Sequence, residues 1–280
     1  MSLRFSNIVT ARPVPVGTGC TIAQFRHDAF HGAAMSPFVM VDHFHMWQPT
    51  FDVHPHAGFS AVTLVFEDSR GEMLSRDSLG HRSQFGAGDL HWTLAGSGIL
   101  HTQLPVGEEA HIHALQIFVN LPARLKNLAP DSFCVPGKQM PIIGKAGARV
   151  RVVAGQVGPL VSPANTPTPV LMLDIKLQDI AEPYQVDLPA GWNAWIHVVS
   201  GQLDIDAGIR LQAGQAICAS SEQAGQFSLS TPEEVHCVVL AAAHIDEAVV
   251  SRGPFVFESE TSLNQALERL QAGHFGSLTS

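Results

Sequence analysis

Short runs of apolar and β-branched residues, each cut off by glycine or aspartate, dominate residues 50–120. Ala61–Glu67 ends at Asp68-Ser69-Arg70-Gly71, and Glu72–Asp77 ends at Ser78-Leu79-Gly80. Gly86-Ala87-Gly88-Asp89 makes the next turn, Leu90–Leu94 the next strand, and Ala95-Gly96-Ser97-Gly98 leads into Ile99–Leu104, with Ala114–Asn120 completing the series. Strands at a spacing of roughly 8–12 residues predict an all-β sandwich or barrel.

The second half repeats the theme. Val170–Leu177, Trp195–Ser200, Gln202–Asp206 and Val235–Ala242 read as strands. Gly201, a short strand and then Ala213-Gly214-Gln215 echo the order of Gly71 and the Gly86–Asp89 turn, a weak internal duplication of one β-fold. Between the halves stand Pro130, Pro136, Pro141, Pro159, Pro163, Pro167 and Pro169. Proline this dense suits a connector and not central strands. The tail changes period: Ser262-x-x-Gln265 has the form of a capping box, Leu263, Ala266, Leu267 and Leu270 recur at helical spacing, and Gly273 stands where a C′ glycine belongs. One terminal amphipathic helix is expected.

Composition narrows the functional classes. A chain of 280 residues has room for two ordinary domains, and 45 % hydrophobic residues provide ample core. Its longest uninterrupted apolar run, Cys237–Ala243, is far shorter than the ~20 residues that span a bilayer. The N-terminal residues show no apolar segment of the signal-peptide kind, so a cytoplasmic protein without membrane association is expected. A net charge of −9 disfavours direct binding to nucleic-acid phosphates, which rests on cation-for-counterion exchange. Cys20, Cys134, Cys218 and Cys237 form no C-x-x-C pair and read as reduced thiols without assigned chemistry.

Histidine is the unusual feature, at 15 residues. Three His-x-His pairs occur: His43/His45, His54/His56 and His111/His113. On a strand, residues i and i+2 face the same way, so both imidazoles can converge on one ion. By itself the pattern fits hydrogen-bonded histidines at a barrel rim equally well. Context separates the pairs. His54-Pro55-His56-Ala57-Gly58 leads directly into the strongest strand of the first half, and His101 and Gln103 are again i and i+2 on a later strand. Two such pairs on facing strands of a small barrel would surround one interior point.

The segments carrying these residues resemble the pirin family. The likeness runs through Pro37–Phe44, His54–Phe59, Arg76–Gly80, Gly88-Asp89, Trp92–His101 and Gln116–Pro122, and returns at Arg252–Phe257 and Gly273–Gly276. It implies an all-β chain of two cupin barrels (double-stranded β-helix or jelly-roll) face to face, divided here as residues 1–135 and 136–280, the second carrying the terminal helix. It also implies one divalent transition metal per chain in the N-terminal barrel only, Fe(II) before Zn, Ni or Mn. Carried over residue by residue, the family's histidine ligands fall on His54, His56 and His101. The fourth ligand is normally a glutamate two residues later; here that position is Gln103, whose amide oxygen can ligate but is neutral and not basic. Gln103 thus stands as either a ligand or a hydrogen-bonding neighbour of one. Three histidines still suit Fe(II), Zn or Ni, so metal binding is expected to survive the change while flavonol chemistry is weakened.

The remaining histidines read mainly as structural. His43/His45 and His111/His113 are expected to pack, with a substrate-orienting role as the lesser alternative; His91 and Trp92 are expected to flank the site, and His197 and His236 lack a His-x-His partner. The leading functional expectation is a metal-dependent oxidoreductase, quercetin 2,3-dioxygenase-like, acting on a small aromatic or flavonoid-like substrate. The alternatives are a non-enzymatic metal-dependent regulatory protein and a degenerate cupin scaffold, for which Gln103 is the best argument.

Overall fold

The computed structural model describes residues 3–32, 34–145, 147–178, 182–206 and 208–278. Its strands gather into two compact units, each discontinuous in sequence. One unit holds residues 13–24, 38–138 and 245–278; the other holds residues 3–12, 25–37 and 139–244. A single cut at residue 135 therefore does not describe the division. The expected terminal helix belongs with the histidine-bearing half, and the N-terminal strands belong with the second half. Long-range packing makes this exchange, and no local pattern in the sequence signals it.

In the first unit the main sheet runs Asp131–Val135, Leu90–Leu94, Phe59–Val65, Ile99–Asn120, Phe38–Met46, Cys20–Arg26 and Val14–Val16. Ile99–Asn120 is one strand of 22 residues, where the sequence suggested two separate runs. Its first half pairs with His54–His56 and Arg70–Asp77, and its second half with Phe59–Val65 and Phe38–Met46. The ladder slips between Val106 and His111, where Gly107 and Glu109 take φ of 112° and 54°. Such an irregularity bends a strand and lets it serve two layers. The result is a cupin barrel in which the short strand His54–His56 lies against the long strand that carries His101. Phe44, Met46, Val65, Met73, Phe85 and Ile112 pack its interior at one end.

The C-terminal segment completes this barrel. Its helix spans Glu260–Gln271 and is capped by Ser259, whose side chain accepts the Ser262 backbone N–H, so the cap lies three residues before the expected Ser262. Gly273 takes φ +77°, as the C′ position demands. Leu263 and Ala266 bury the apolar stripe against Ala57, Phe255, Phe257 and Phe275. Burial of a leucine here is worth about 2 kcal/mol. Gly58 sits at φ +85°, and a Cβ on it would stand 2.0 Å from the Val256 carbonyl oxygen. Only glycine lets the tail approach this closely to the residue two after His56. The buried Lys126 ammonium then bridges Gly58 O (2.9 Å), Asn120 Oδ1 (2.5 Å) and Val256 O (3.0 Å), one acceptor for each hydrogen. Burial lowers its pKa to about 8.

In the second unit one sheet runs Arg4–Phe5, Gln215–Ser220, Trp192–Ser200, Val235–Ala243, Val170–Leu177, Ala148–Ala154 and Ile142–Lys145. A second sheet runs Tyr184–Leu188, Gly225–Ser230, Gln202–Ile205 and Ile209–Gln212. The order of pairing repeats that of the first unit, so the duplication suggested by Gly71 and Gly201 is a duplication of topology. Ala148–Ala154 is an interior strand inside the stretch expected to be a connector. The prolines flank it, at 141 and 159, and leave its backbone donors intact. The interior of this unit is one continuous apolar cluster, running from Val150 through Leu173, Ile196 and Phe227 to Val239.

Candidate metal centre in the N-terminal barrel

His54–His56 is a three-residue strand laid against the start of Ile99–Asn120, with His101 opposite His54 and Ile99 opposite His56. Alternation turns Pro55 away and both imidazoles inward. The ring centroids of His54, His56 and His101 lie 4.6–4.8 Å apart, and one ring nitrogen from each falls within 4.8 Å of the other two. Nε2 of His54 and Nε2 of His101 are 3.0 Å apart. The Asp52 carbonyl, 2.8 Å from Nδ1 of His54, can only accept. His54 therefore carries its proton on Nδ1 and presents the Nε2 lone pair to the centre.

Burial tunes these imidazoles. His56 and His101 are 4 % and 3 % exposed. Desolvation, reinforced by their neighbouring imidazoles, holds both pKa values well below the usual range. Desolvation lowers His54 as well. Neutral imidazoles are the form that ligates a metal. Nδ1 of His101 is buried without a hydrogen-bond partner among the described residues. Three imidazoles, two of them buried, converging in their neutral form fit a transition-metal ion; as a purely packed arrangement they leave polar nitrogens unsatisfied.

Gln103 lines the same cavity, and its amide is engaged on both sides. The Thr63 hydroxyl lies 2.9 Å from Gln103 Oε1, and Gln103 Nε2 lies 3.1 Å from Nδ1 of His91. The Thr63 oxygen is also 2.9 Å from the Gln116 amide. A hydroxyl has one hydrogen, so one amide accepts it and the other presents its NH₂ group. His91 sits behind Gln103, stacked on Phe85 at 4.7 Å, and burial pushes its pKa down to about 4. Trp92 points to the opposite face and stacks on Phe133. His91 is thus a neighbour of the site through Gln103, and Trp92 is packing.

The histidines stand at one side of a cavity of about 150 Å³. Its other walls are apolar, with Ile22, Met40, Phe44, Phe51, Met73 and Phe118, and polar at Asp42 and Gln116. Asp42 projects beside Met40 and Phe44 on one face of Phe38–Met46 and accepts a hydrogen bond from Gln24 at 2.9 Å. Spacing alone could not place Asp42, Thr63 or Gln116 here. The signal is register: Thr63 lies directly opposite Gln116 and one strand from Gln103, which appears only once the strands are paired.

The structure also brings His43, His45 and His113 together on the other face of the same sheet. His197, fully buried in the second unit, stacks on Trp195 and bonds the Gln215 carbonyl through Nδ1 at 3.0 Å; His236 pairs with Asp174.

Comparison with known proteins agrees with the cupin fold. The pirin family model matches residues 21–119, and the model for the pirin C-terminal cupin domain matches residues 172–276. Pirin of Mus musculus is 34 % identical over 237 residues, covering 83 % of this chain and 80 % of its own. A putative quercetin 2,3-dioxygenase of Pseudomonas aeruginosa is 31 % identical over 264 residues, covering 87 % and 88 %. The crystal structure of a quercetin 2,3-dioxygenase from Acinetobacter baumannii superposes with a TM-score of 0.87 over the whole of both chains, at 27 % identity.

Proposed function

The chain belongs to the pirin family, and on that premise we propose that its N-terminal barrel holds one divalent transition metal, Fe(II) in the first instance, and oxidises a small aromatic substrate of the flavonol or catechol kind. The observation that carries the proposal is the convergence of three neutral imidazoles, two of them buried and His54 half-buried, on one point of a mainly apolar cavity. His54, His56 and His101 would hold the ion. When bound, such an ion supplies Lewis acidity and a one-electron couple to substrate oxygen and dioxygen. The apolar walls suit a planar ring. Gln103, tied to Thr63 and His91, braces the centre and contributes at most a neutral oxygen.

A neutral residue 103 removes the base that a carboxylate would provide there. The carboxylate that remains on the cavity wall is Asp42, which can accept a substrate hydroxyl proton. Oxygen uptake by iron-loaded protein, measured against flavonols and catechols, tests the reading. Uptake that requires the substrate and disappears with His101→Ala supports it; uptake that is nil across the series, with iron bound, refutes it.

The non-enzymatic reading, a metal-responsive regulatory protein, is favoured by the same glutamine, which keeps a ligand cage but weakens acid–base chemistry. It predicts bound iron without turnover.

A further inference from the structure

His43 and His45 lie two apart on Phe38–Met46, and His113 stands directly opposite His45 on Ile99–Asn120. Met40, Asp42 and Phe44 of the same strand line the cavity, so alternation places these histidines on the other face of the sheet. One ring nitrogen from each of the three lies within 4.8 Å of the others. Nε2 of His43 and Nε2 of His113 are 2.7 Å apart. His45 is stacked on His113 with ring centroids 4.1 Å apart.

Two further observations point to a ligand. The Asp68 carboxylate lies 2.8 Å from Nδ1 of His113. A carboxylate accepts, so Nδ1 carries the proton and Nε2 turns its lone pair toward the cluster. This carboxylate–histidine arrangement is the one that orients metal-binding imidazoles. In addition, Nδ1 of His45 is buried with no hydrogen-bond partner among the described residues.

We propose that His43, His45 and His113, with Asp68 orienting His113, form a second metal site that takes a late divalent ion of the imidazole-preferring class, such as Zn(II), Ni(II) or Cu(II). Three imidazoles and no thiolate select this class over hard cations. An ion held at about 2.0–2.1 Å by each nitrogen sets the nitrogens about 3.4 Å apart in a tetrahedron. Loading thus moves the His43 and His113 nitrogens from 2.7 Å to about 3.4 Å, apart by roughly 0.7 Å, and turns the rings out of their stack. The site shares no ligand with the cavity centre and stands or falls independently of it.

Zn(II) titration of chelator-stripped full-length chain, followed calorimetrically, tests the proposal, with Co(II) visible absorption reporting each site's ligand field. Two zinc ions per chain are expected. His45→Gln and His43→Gln should each abolish one event and leave the other; His56→Ala should abolish the event that those variants retain. Asp68→Asn should weaken only the second event, by about 10–100-fold. Urea midpoints of the metal-free variants separate loss of ligand from loss of fold, and the two independent glutamine variants guard against either misfolding. A single zinc per chain, lost with His56→Ala, overturns the second site. So do two events that both survive His43→Gln and His45→Gln.

Discussion

Gln103 donates an amide hydrogen to Nδ1 of His91 across 3.1 Å, and the imidazole that receives it is almost wholly buried. A carboxylate at position 103 cannot make that donation and adds a negative charge beside the proposed ion. Gln103→Glu should therefore tighten metal binding roughly tenfold or more, since a unit charge a few ångström from an ion is worth several kcal/mol even at an effective dielectric of about 20. It should also lower the iron reduction potential. Chelator competition and voltammetry measure both. Gln103→Leu should bind metal nearly as well as the native chain. If the glutamate variant leaves affinity and potential unchanged, residue 103 faces away from the ion.

Turnover follows the same logic. Quercetinase activity of the native chain should be weak, and Gln103→Glu should raise it by restoring a base near the metal. Asp42→Asn should lower whatever native turnover exists while keeping iron bound. Native turnover equal to that of Gln103→Glu would show that no base is needed at that position.

Metal content separates the two barrels. In a His45→Gln background, so that the count refers to the cavity alone, iron should be lost on His56→Ala or His101→Ala. His236→Ala should keep it. His197→Ala should keep it too, at a cost of about 2–5 kcal/mol in stability, because its ring fills a space against Trp195 and Phe25. Elemental analysis beside a urea titration decides. Iron retained by His101→Ala would remove the cavity centre.

How far the sequence foretold this depends on the range of the interaction. Leu90–Leu94 and Val170–Leu177 were readable to the residue, because each is a short apolar run bounded by turn formers. His54, His56 and His101 were readable because i and i+2 on a strand share a face. The meeting of His43 with His113 was not: it requires the pairing of strands 70 residues apart and then their register. Ala148–Ala154 was hidden by the prolines around it, and Ser259 by the better-looking capping pattern at Ser262. Asp68 carries no pattern at all; it matters only because a turn holds it beside His113.

Acidification should destabilise the metal-free protein. Burial holds His45 and His91 at about 4, against an ordinary value near 6.5. Between those limits the unfolded chain binds more protons than the folded one, so stability falls as pH drops through that window. Above pH 6.5 these groups contribute no further change, and below about 4 the slope flattens. His91 alone accounts for on the order of 3 kcal/mol at most. His54, His56 and His101, also lowered, add in the same direction. Urea midpoints from pH 7.5 to 4.5 should decline, less steeply in His91→Gln. A midpoint that rises on acidification contradicts the argument.

Lys126→Met should expose the dependence of the histidine strand on the tail. It leaves the acceptors at Gly58, Asn120 and Val256 buried without a donor. Each such group costs about 1–3 kcal/mol. The variant should lose several kcal/mol and, because Gly58 follows His56 so closely, bind metal more weakly. Unchanged chelator competition would show that the clamp supports the fold alone.

The crossing of segments between the units has a consequence for synthesis on the ribosome. Residues 245–278, which close the histidine-bearing barrel, are made only after all of residues 139–244. That barrel must therefore wait, with Phe59 and Ala57 uncovered, while the other half is translated. The other half already has its own borrowed strands, Arg4–Phe5 and Val9–Thr10, in hand when its last residue emerges. The unit encoded second is the first that can be finished, and neither half expressed alone would carry all of its own strands.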